Sequence, residues 1–460
     1  MHVDYLIVGA GASGLVFADR LLSNSDATMA IIDRRALPGG HWVDSYPYVR
    51  LHAPSSFYGV DSMELGHDRL DAEGLNEGFG HCARGSEIRA HLENCLHDRL
   101  LPSGRVTYLP MHERLEDGSV RHIPTGKEVE INATKLVDAS YFTNAVPATH
   151  APKFPVADGV ALTTPREVPS QIAQYKDFVV IGAGKTGMDA VTFLLLSGVP
   201  ADKVRWIVPR DPWMFNRMGV QTHPAFLKES LGIAASMAEA MAYAENIEAF
   251  EDKMEEGGGW IRLDPTVRPR MFHAACASEK ERDTLMRAKV IREGYVEAIE
   301  PDVIKMTGSD IAIGPDTLVV HCTASAITDA PAKPVFEPGR ITIQMLRYPA
   351  PCFSAAMIAE IERTVPDEEK NNYALPTGVT DVSADYLRTT LHQQMNQLAW
   401  NAHPELRAFL RGTRLDAVSH LFRRADKSDP EVAELFGRLQ TASMAAAQNI
   451  PKLMALAAAG

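Results

Sequence analysis

The stretch YLIVGAGASG at residues 5–14, followed by an apolar segment up to Leu22, decides the fold of this chain. Four apolar residues in a row are typical of a strand that is covered on both faces, as in a parallel sheet. In G-x-G-x-x-G, the first glycine permits a tight turn from strand to helix, and the second lets a pyrophosphate approach the backbone. The third glycine lets the helix pack closely on the strand. The stretch therefore predicts the start of a dinucleotide-binding fold.

An acidic residue at the end of the next strand supports this interpretation. The apolar residues 29–32 are followed directly by Asp33. A carboxylate at this place can accept hydrogen bonds from both ribose hydroxyls of a dinucleotide. The free N–H groups at the start of the helix attract its phosphates. The strand, glycine turn, helix and acid follow one another in the order expected for a dinucleotide-binding unit. The alternative is a glycine-rich turn that has a structural role only.

The same pattern recurs in the middle of the chain. Residues 178–187 read FVVIGAGKTG, and a second short strand follows at residues 205–208. The Gly-Lys-Thr sequence resembles the end of an NTPase phosphate-binding loop, but that loop needs a glycine where this chain has Val179. The second strand ends near Arg210, with no acid at the ribose position. A basic residue there suits a ribose 2′-phosphate and favours NADP over NAD, although Asp211 is adjacent. The alternative for Arg210 is a solvated surface charge.

The repeated pattern predicts an α/β fold with two Rossmann-like dinucleotide-binding domains, the second inserted in the first, and additional helical segments. We expect a FAD-binding domain over residues 1–165 and an NADP-binding domain over residues 166–325, with a helical insertion at about 212–290. Residues 326–460 are expected to return to the FAD domain and to form a C-terminal helical region. The simplest pair of ligands is one tightly held flavin and one diffusible nicotinamide donor that passes hydride to it.

Composition excludes several other classes of protein. The chain has 460 residues, of which 45% are hydrophobic and 23% charged, as in ordinary globular proteins. The 59 acidic residues exceed the 46 basic ones, and a formal net charge of −13 argues against nucleic acid as the main partner. Five cysteines without a C-x-x-C pair argue against a zinc ribbon or a disulfide framework. We expect a cytoplasmic protein without a membrane span and without a metal, and homo-oligomerisation stays open.

The residues after Asp33 carry a resemblance to a known family. Residues 39–42 read GGHW, and residues 46–50 read YPYVR. A Gly-Gly turn brings the backbone close to a ligand, and Trp42 is a large flat side chain suited to packing beside a cofactor. Together with the two glycine motifs, Asp33 and Arg210, these stretches resemble the flavin-containing monooxygenase superfamily, including its Baeyer–Villiger branch.

Other parts of the chain depart from the pattern of that family. The turns at residues 138–140 (DAS) and 322–325 (CTAS) look like degenerate forms of the family's A-T-G hinges, without the final glycine. The family fingerprint F-x-G-x-x-x-H-x-x-x-[FY] would be expected at residues 156–171, where the sequence contains no histidine. The oxygenating reaction is therefore less well supported by the sequence than the two cofactors.

The resemblance implies a reaction and its cofactors. NADPH would reduce FAD, and the reduced flavin would bind O₂ as a C4a-(hydro)peroxide and pass oxygen to a small organic substrate. The alternatives are an NAD(P)H-dependent flavin oxidoreductase or oxidase without oxygen insertion, and a non-catalytic flavin-binding protein. The predicted cofactor-binding residues are Gly9, Gly11, Ala12, Ser13, Gly14, Asp33, Arg34, Gly40, His41, Trp42, Gly182, Gly184, Lys185, Thr186, Gly187 and Arg210.

Arg50 and His52 are the candidates for catalysis. They follow the Tyr-Pro element, where related enzymes place a polar residue of the active site. A histidine there can donate a hydrogen bond to a flavin peroxide or act as an acid or base. The alternative for His52 is a buried histidine bonded to the backbone, and the alternative for Arg50 is a structural ion pair.

Overall fold

The computed structural model describes residues 1–66, 68–142, 147–323 and 330–459. The described strands are β1 (His2–Val8), β2 (Met29–Asp33), β3 (Val106–Pro110), β4 (His112–Arg114), β5 (Val120–His122), β6 (Glu128–Val129), β7 (Asn132–Asp138), β8 (Leu162–Thr163), β9 (Asp177–Ile181), β10 (Val204–Ile207), β11 (Pro212–Asn216), β12 (Trp260–Arg262), β13 (Met271–Ala277), β14 (Lys289–Ile291), β15 (Val296–Glu300), β16 (Val303–Met306), β17 (Ile311–Ala312), β18 (Thr317–His321), β19 (Phe336–Glu337) and β20 (Arg340–Thr342). The described α-helices are α1 (Ala12–Asn24), α2 (Gly85–Asn94), α3 (Val168–Gln171), α4 (Lys185–Leu196), α5 (Leu227–Tyr243), α6 (Ile247–Glu256), α7 (Glu279–Leu285), α8 (Pro351–Thr364), α9 (Ser383–Ala402), α10 (Pro404–Gly412), α11 (Ala417–Arg424) and α12 (Pro430–Ala459).

A six-stranded sheet is built from both ends of the chain, in the order β19-β20-β7-β1-β2-β3. All its pairings are parallel except that between β19 and β20. Helices α1 and α8 pack against each other. The core beneath them includes Ile7, Phe17, Ile31 and Phe353, none of which has exposed surface. Continuous apolar strands are thus buried on both faces, as the sequence predicts.

A five-stranded sheet lies wholly within the middle of the chain, in the order β14-β10-β9-β18-β8, and all its pairings are parallel. Its core includes Phe178, Val180, Val191 and Trp206. A small antiparallel sheet, β15-β16-β17, precedes β18. The two parallel sheets with their helices confirm the predicted α/β fold class with two Rossmann-type units.

A further layer is formed by the middle and the end of the chain. The sheet β12-β11-β13 and the helices α5, α6, α9 and α12 enclose a core that includes Trp213, Trp260, Phe272 and Leu387. The region expected to be a helical insertion, about 212–290, therefore contains three strands of its own sheet as well as α5, α6 and α7. The domain boundaries stay a prediction.

No helix in the described part of the chain combines the length and the apolar composition needed to cross a membrane. The second hinge turn is described only in part, since Cys322 and Thr323 are placed while Ala324 and Ser325 lie outside the described residues.

Candidate active site

The first glycine motif forms the turn between β1 and α1. Gly9 has a φ of 109°, which favours glycine. A Cβ added at Gly14 would lie 2.0 Å from the carbonyl oxygen of Gly9, so that only glycine permits this approach of helix to strand. Gly11 is the N-cap of α1, Ala12 and Ser13 are its first two residues, and no side chain of the described residues caps it. The first N–H groups of α1 are therefore available to a phosphate.

Asp33 is fixed beside this turn by the backbone. Its side chain is buried; Oδ2 accepts a hydrogen bond from the N–H of Ala10 at 2.7 Å, and Oδ1 accepts one from the N–H of Arg35 at 2.8 Å. The carboxylate thus lies at the end of β2 directly beside the glycine turn, and its role in binding a ribose stays a prediction. Arg34 points elsewhere, because its exposed guanidinium lies 3.6 Å from Glu113 and is not brought to the turn.

The Gly-Gly turn covers the second glycine of the motif. The N–H of Gly39 donates to the carbonyl oxygen of Ala10 at 2.8 Å, and a Cβ added at Gly40 would lie 2.9 Å from the Cα of Gly11. Behind this turn, the indole Nε1 of Trp42 donates to the hydroxyl of Tyr58 at 2.8 Å. The structure therefore brings Gly11, Gly40 and Trp42 together around the start of α1.

His41 is part of the same turn. Its ring lies 4.8 Å from that of Trp42, measured between centroids. Burial, and to a lesser extent the cation of Arg35, lower the pKa of His41 to about 4, against the opposing effect of Asp44. The imidazole is therefore neutral at pH 7.

The second glycine motif repeats this backbone geometry between β9 and α4. Gly182 has a φ of 129°, and a Cβ added at Gly187 would lie 2.0 Å from the carbonyl oxygen of Gly182. Gly184 is the N-cap of α4, Lys185 and Thr186 are its first residues, and no described side chain caps the helix. A Cβ added at Gly184 would meet no described atom within 4 Å. This helix terminus is therefore open to a ligand.

Lys185 belongs to a buried charge network. Its Nζ donates to Oε1 of Glu281 at 2.6 Å and also to Oδ1 of Asp189. Oε2 of Glu281 accepts from Nη2 of Arg217 at 2.6 Å, and Nε of Arg217 donates to the backbone oxygen of His52 at 2.8 Å. Burial raises the pKa of Asp189. Although burial opposes ionisation of Glu281 as well, Lys185 and Arg217 lower its pKa to about 2. The two cations and two carboxylates compensate one another.

The Tyr-Pro element lies directly on α4. The hydroxyl of Tyr46 donates to Oδ2 of Asp189 at 2.6 Å, and the ring of Tyr48 stacks on that of Phe193 with centroids 4.1 Å apart. Two aromatic side chains that follow the first glycine motif in sequence thus contact the helix of the second motif. The Tyr-Pro element therefore connects the first part of the chain to the unit that contains α4.

The two catalytic candidates have different surroundings. Nη1 of Arg50 lies 3.7 Å from Oδ2 of Asp71 in a partly exposed ion pair. The half-buried His52 faces the charge network instead. Burial, and to a lesser extent the cation of Lys185, lower the pKa of His52 to about 3. Its ring is therefore neutral at pH 7 and can donate one hydrogen bond and accept another.

Arg210 follows β10, as predicted, and already has a partner. Its Nη1 and Nη2 donate to the two carboxylate oxygens of Asp381 at 2.8 and 2.7 Å. The neighbouring Asp211 is bonded by Arg292 at 2.8 and 2.9 Å, so that it does not neutralise Arg210. Sequence reasoning missed Asp381 and likewise Glu281, because both lie far along the chain from the motifs that they contact.

No set of three or more His, Cys, Asp and Glu side chains within the described ranges could hold a metal ion. His91 uses its Nε2 to accept a hydrogen bond from the N–H of Val60 at 3.0 Å, and Cys95 is a buried free thiol.

Comparison with known proteins supports the assignment of the fold. The NAD(P)-binding Rossmann-like domain family matches residues 7–51. The chain is 26% identical over 207 residues to the probable FAD-binding monooxygenase AlmA of an Acinetobacter species, covering 43% of this chain and 39% of that one. A solved structure of OTEMO in complex with FAD and NADP has a TM-score of 0.52 at 14% identity and covers 80% of this chain and 85% of the other. The predicted resemblance to the flavin monooxygenase superfamily is confirmed at the level of the fold.

Longer and closer relatives come from mycobacteria. The chain is 38% identical over 423 residues to the uncharacterized protein Rv2000 of Mycobacterium tuberculosis and to the uncharacterized protein Mb2023 of Mycobacterium bovis. Each alignment covers 92% of this chain and 79% of the relative. The chain belongs to the family of these mycobacterial proteins.

Proposed function

We propose that this protein is an FAD-dependent monooxygenase that uses NADPH and O₂ to oxygenate a small organic substrate. The observation that carries the proposal is the pair of glycine motifs in one chain, each at an uncapped helix start and each with a different residue at its ribose position. The likeness of the fold to a structure that contains FAD and NADP supports this choice of cofactors.

The residues around α1 fit a flavin dinucleotide. The uncapped N–H groups at the start of α1 would be available to a diphosphate, and Asp33 is held where ribose hydroxyls would need an acceptor. Trp42 and Gly40 would border the ligand. These residues bind and orient, because none of them carries an ionisable group suited to proton transfer other than the fixed carboxylate.

The residues around α4 fit a nicotinamide dinucleotide. The open space at Gly184 and the free N–H groups of α4 suit a diphosphate, and Arg210 suits a ribose 2′-phosphate. When both groups are bound, the flavin supplies hydride acceptance from the nicotinamide and, once reduced, reaction with O₂.

Tyr46, Tyr48 and His52 would lie between the two ligands. Tyr46 and Tyr48 hold their segment against α4, and Arg217 fixes the backbone of His52. The neutral ring of His52 would donate a hydrogen bond to a substrate or oxygen species in this space and would hold no positive charge at pH 7. Arg50 would support this segment through its ion pair with Asp71.

The absence of the histidine fingerprint from residues 156–171 favours a second candidate function. Without that element the protein would be an NADPH oxidase that reduces O₂ to hydrogen peroxide and makes no oxygenated product. This enzyme would use the same cofactors and the same two helix starts.

The test measures NADPH consumption, O₂ uptake, hydrogen peroxide and oxygenated product in one reaction mixture. Ketones, organic sulfides and tertiary amines serve as three classes of substrate. We expect product to account for most of the NADPH consumed with at least one class. If hydrogen peroxide accounts for all NADPH with every class, the oxidase is the correct assignment. A purified protein that is colourless and takes up no added FAD would refute both functions.

A further inference from the structure

A segment from the last part of the chain reaches the ribose end of the second motif. We call residues 377–381 the strap. The N–H of Thr377 donates to the carbonyl oxygen of Met345 at 2.8 Å, and the hydroxyls of Thr380 and Tyr348 are 2.7 Å apart. At its other end, the carbonyl oxygen of Asp381 accepts from the N–H of Phe272, on β13, at 2.8 Å. The strap therefore has a fixed backbone, and it presents Asp381 to the carboxyl end of β10.

The side chain of Asp381 takes both terminal nitrogens of Arg210 and also lies 2.9 Å from Nε2 of His273. The hydrogen bonds from Arg210 lower the pKa of Asp381 to about 2, so that it is ionised at neutral pH. A carboxylate and a phosphate both offer a pair of oxygens to the same guanidinium fork. Asp381 thus occupies one N–H of each terminal nitrogen of Arg210, which is the fork that a ribose 2′-phosphate would also prefer.

We propose that Asp381 sets the coenzyme preference, because its carboxylate competes with the 2′-phosphate of NADPH for the terminal nitrogens of Arg210. The inference rests on the proposed function, in which Arg210 binds that phosphate. Asp381 is then a specificity residue that lowers the affinity for NADP(H) and leaves the affinity for NAD(H) unchanged.

The contrast with Asp33 supports an exchangeable role. Asp33 is buried and bonded by two backbone N–H groups, so that it cannot leave its place without breaking the turn. The side chain of Asp381 is 56% exposed, and its described partners are side chains. An exposed ion pair contributes little stability, so that a dianionic phosphate can replace it at small cost.

The test measures binding of NADP⁺ and of NAD⁺ to the flavin-loaded protein by isothermal titration calorimetry. Asp381→Asn keeps the size of the side chain and removes its charge. We expect the Kd for NADP⁺ to fall about fivefold, because the variant loses one exposed carboxylate that competes for Arg210. The Kd for NAD⁺ should change less than about twofold. Glu239→Gln is the matched control, because Glu239 also forms a bidentate, partly exposed pair, with Arg438 between α5 and α12.

A double variant separates this inference from the proposed function. In an Arg210→Ala background, Asp381→Asn should have no further effect on NADP⁺ binding. The inference fails if Asp381→Asn leaves the Kd for NADP⁺ unchanged, raises it, or lowers the Kd for NAD⁺ equally. If Arg210→Ala still weakens NADP⁺ binding in that case, the proposed coenzyme stands. If Arg210→Ala has no effect on NADP⁺ either, the assigned 2′-phosphate site is wrong as well.

Discussion

At Gly14 and at Gly187, an added Cβ would lie 2.0 Å from the carbonyl oxygen of the first glycine of its own motif. Gly9 and Gly182 both have positive φ angles. The two turns therefore have the same backbone requirement, even though they belong to different sheets. This part of each motif serves the packing of helix on strand, and it does so in the same way in both places.

The surroundings of the two turns differ. Gly11 lies under the Gly39–Gly40 turn, whereas the space around Gly184 is open. The ribose position of the first motif has a carboxylate held by the backbone, and that of the second has Arg210 in an exposed ion pair. The comparison teaches that the two turns share one backbone geometry, while they differ in the loop beside the second glycine and in the charge that follows the next strand.

The largest effect is expected at the third glycine of each motif. Gly14→Ala and Gly187→Ala should each lower the free energy of unfolding by about 3 kcal/mol, because the new Cβ would clash with backbone that cannot move away. Chemical denaturation followed by circular dichroism measures this. Gly437→Ala is the control: a Cβ there meets no described atom within 4 Å, and the α12 variant should gain about 0.5 kcal/mol. If only one of the two motif variants were destabilised, the equivalence of the two turns would be wrong.

The second glycines should separate the two ligands. Gly11→Val should lose FAD from the purified protein, because its γ-carbons would fill the space between α1 and Gly40. Gly184→Val should keep FAD and fold normally but bind NADP⁺ at least about tenfold more weakly, because its side chain would stand at the open start of α4. Absorbance of bound flavin and titration with NADP⁺ distinguish the variants. A yellow, stable Gly11→Val protein would contradict the assignment of the first motif.

A smaller effect is expected at the ribose position of the second motif. Arg210→Ala should raise the KM for NADPH about tenfold, as expected for the loss of a charge-assisted hydrogen bond, and should raise the KM for NADH less than about twofold. Steady-state kinetics with both coenzymes measure this. Equal changes for NADPH and NADH would reject a 2′-phosphate role for Arg210.

The last effect is expected in the pH dependence of stability, at His52. Its pKa is lowered from 6.5 to about 3 in the folded protein. Between these values the unfolded chain binds a proton that the folded chain does not, so that this histidine favours unfolding increasingly as the pH falls below 6.5. His52→Gln should therefore lose less stability between pH 7 and pH 5 than the wild type in thermal denaturation. The exposed His97, changed to Gln, should keep the wild-type difference. A His52 variant with the wild-type difference would show that the ring is solvated.

Local sequence predicts the parallel strands well but not every boundary. The runs that became β1, β2, β9 and β10 are continuous and apolar because both faces are covered. Within the region predicted to be a helical insertion, α5 ends at Tyr243 and a separate helix, α6, begins at Ile247. Asn246 caps α6 there, because its Oδ1 accepts from the N–H of Ala249 at 2.8 Å. The strands β11–β13 escaped prediction because their pairing joins residues far apart in sequence.

The candidate site also contains some residues that the sequence could predict and others that it could not. Asp33 could be predicted because its position depends on one strand and one turn. The partners of Lys185 and Arg210 could not, because Glu281 and Asp381 reach them through tertiary packing that leaves no local pattern. The distant residues are also those that give the second motif its own chemistry.

The strand order has a consequence for synthesis on the ribosome. The five-stranded sheet has all its strands once residue 321 has been made, whereas the six-stranded sheet needs β19 and β20 and is complete only after residue 342. Domains usually fold in the order in which they are translated. In this chain the sheet whose first strand is translated first is completed last, so that its full set of strands is present only when most of the polypeptide has emerged.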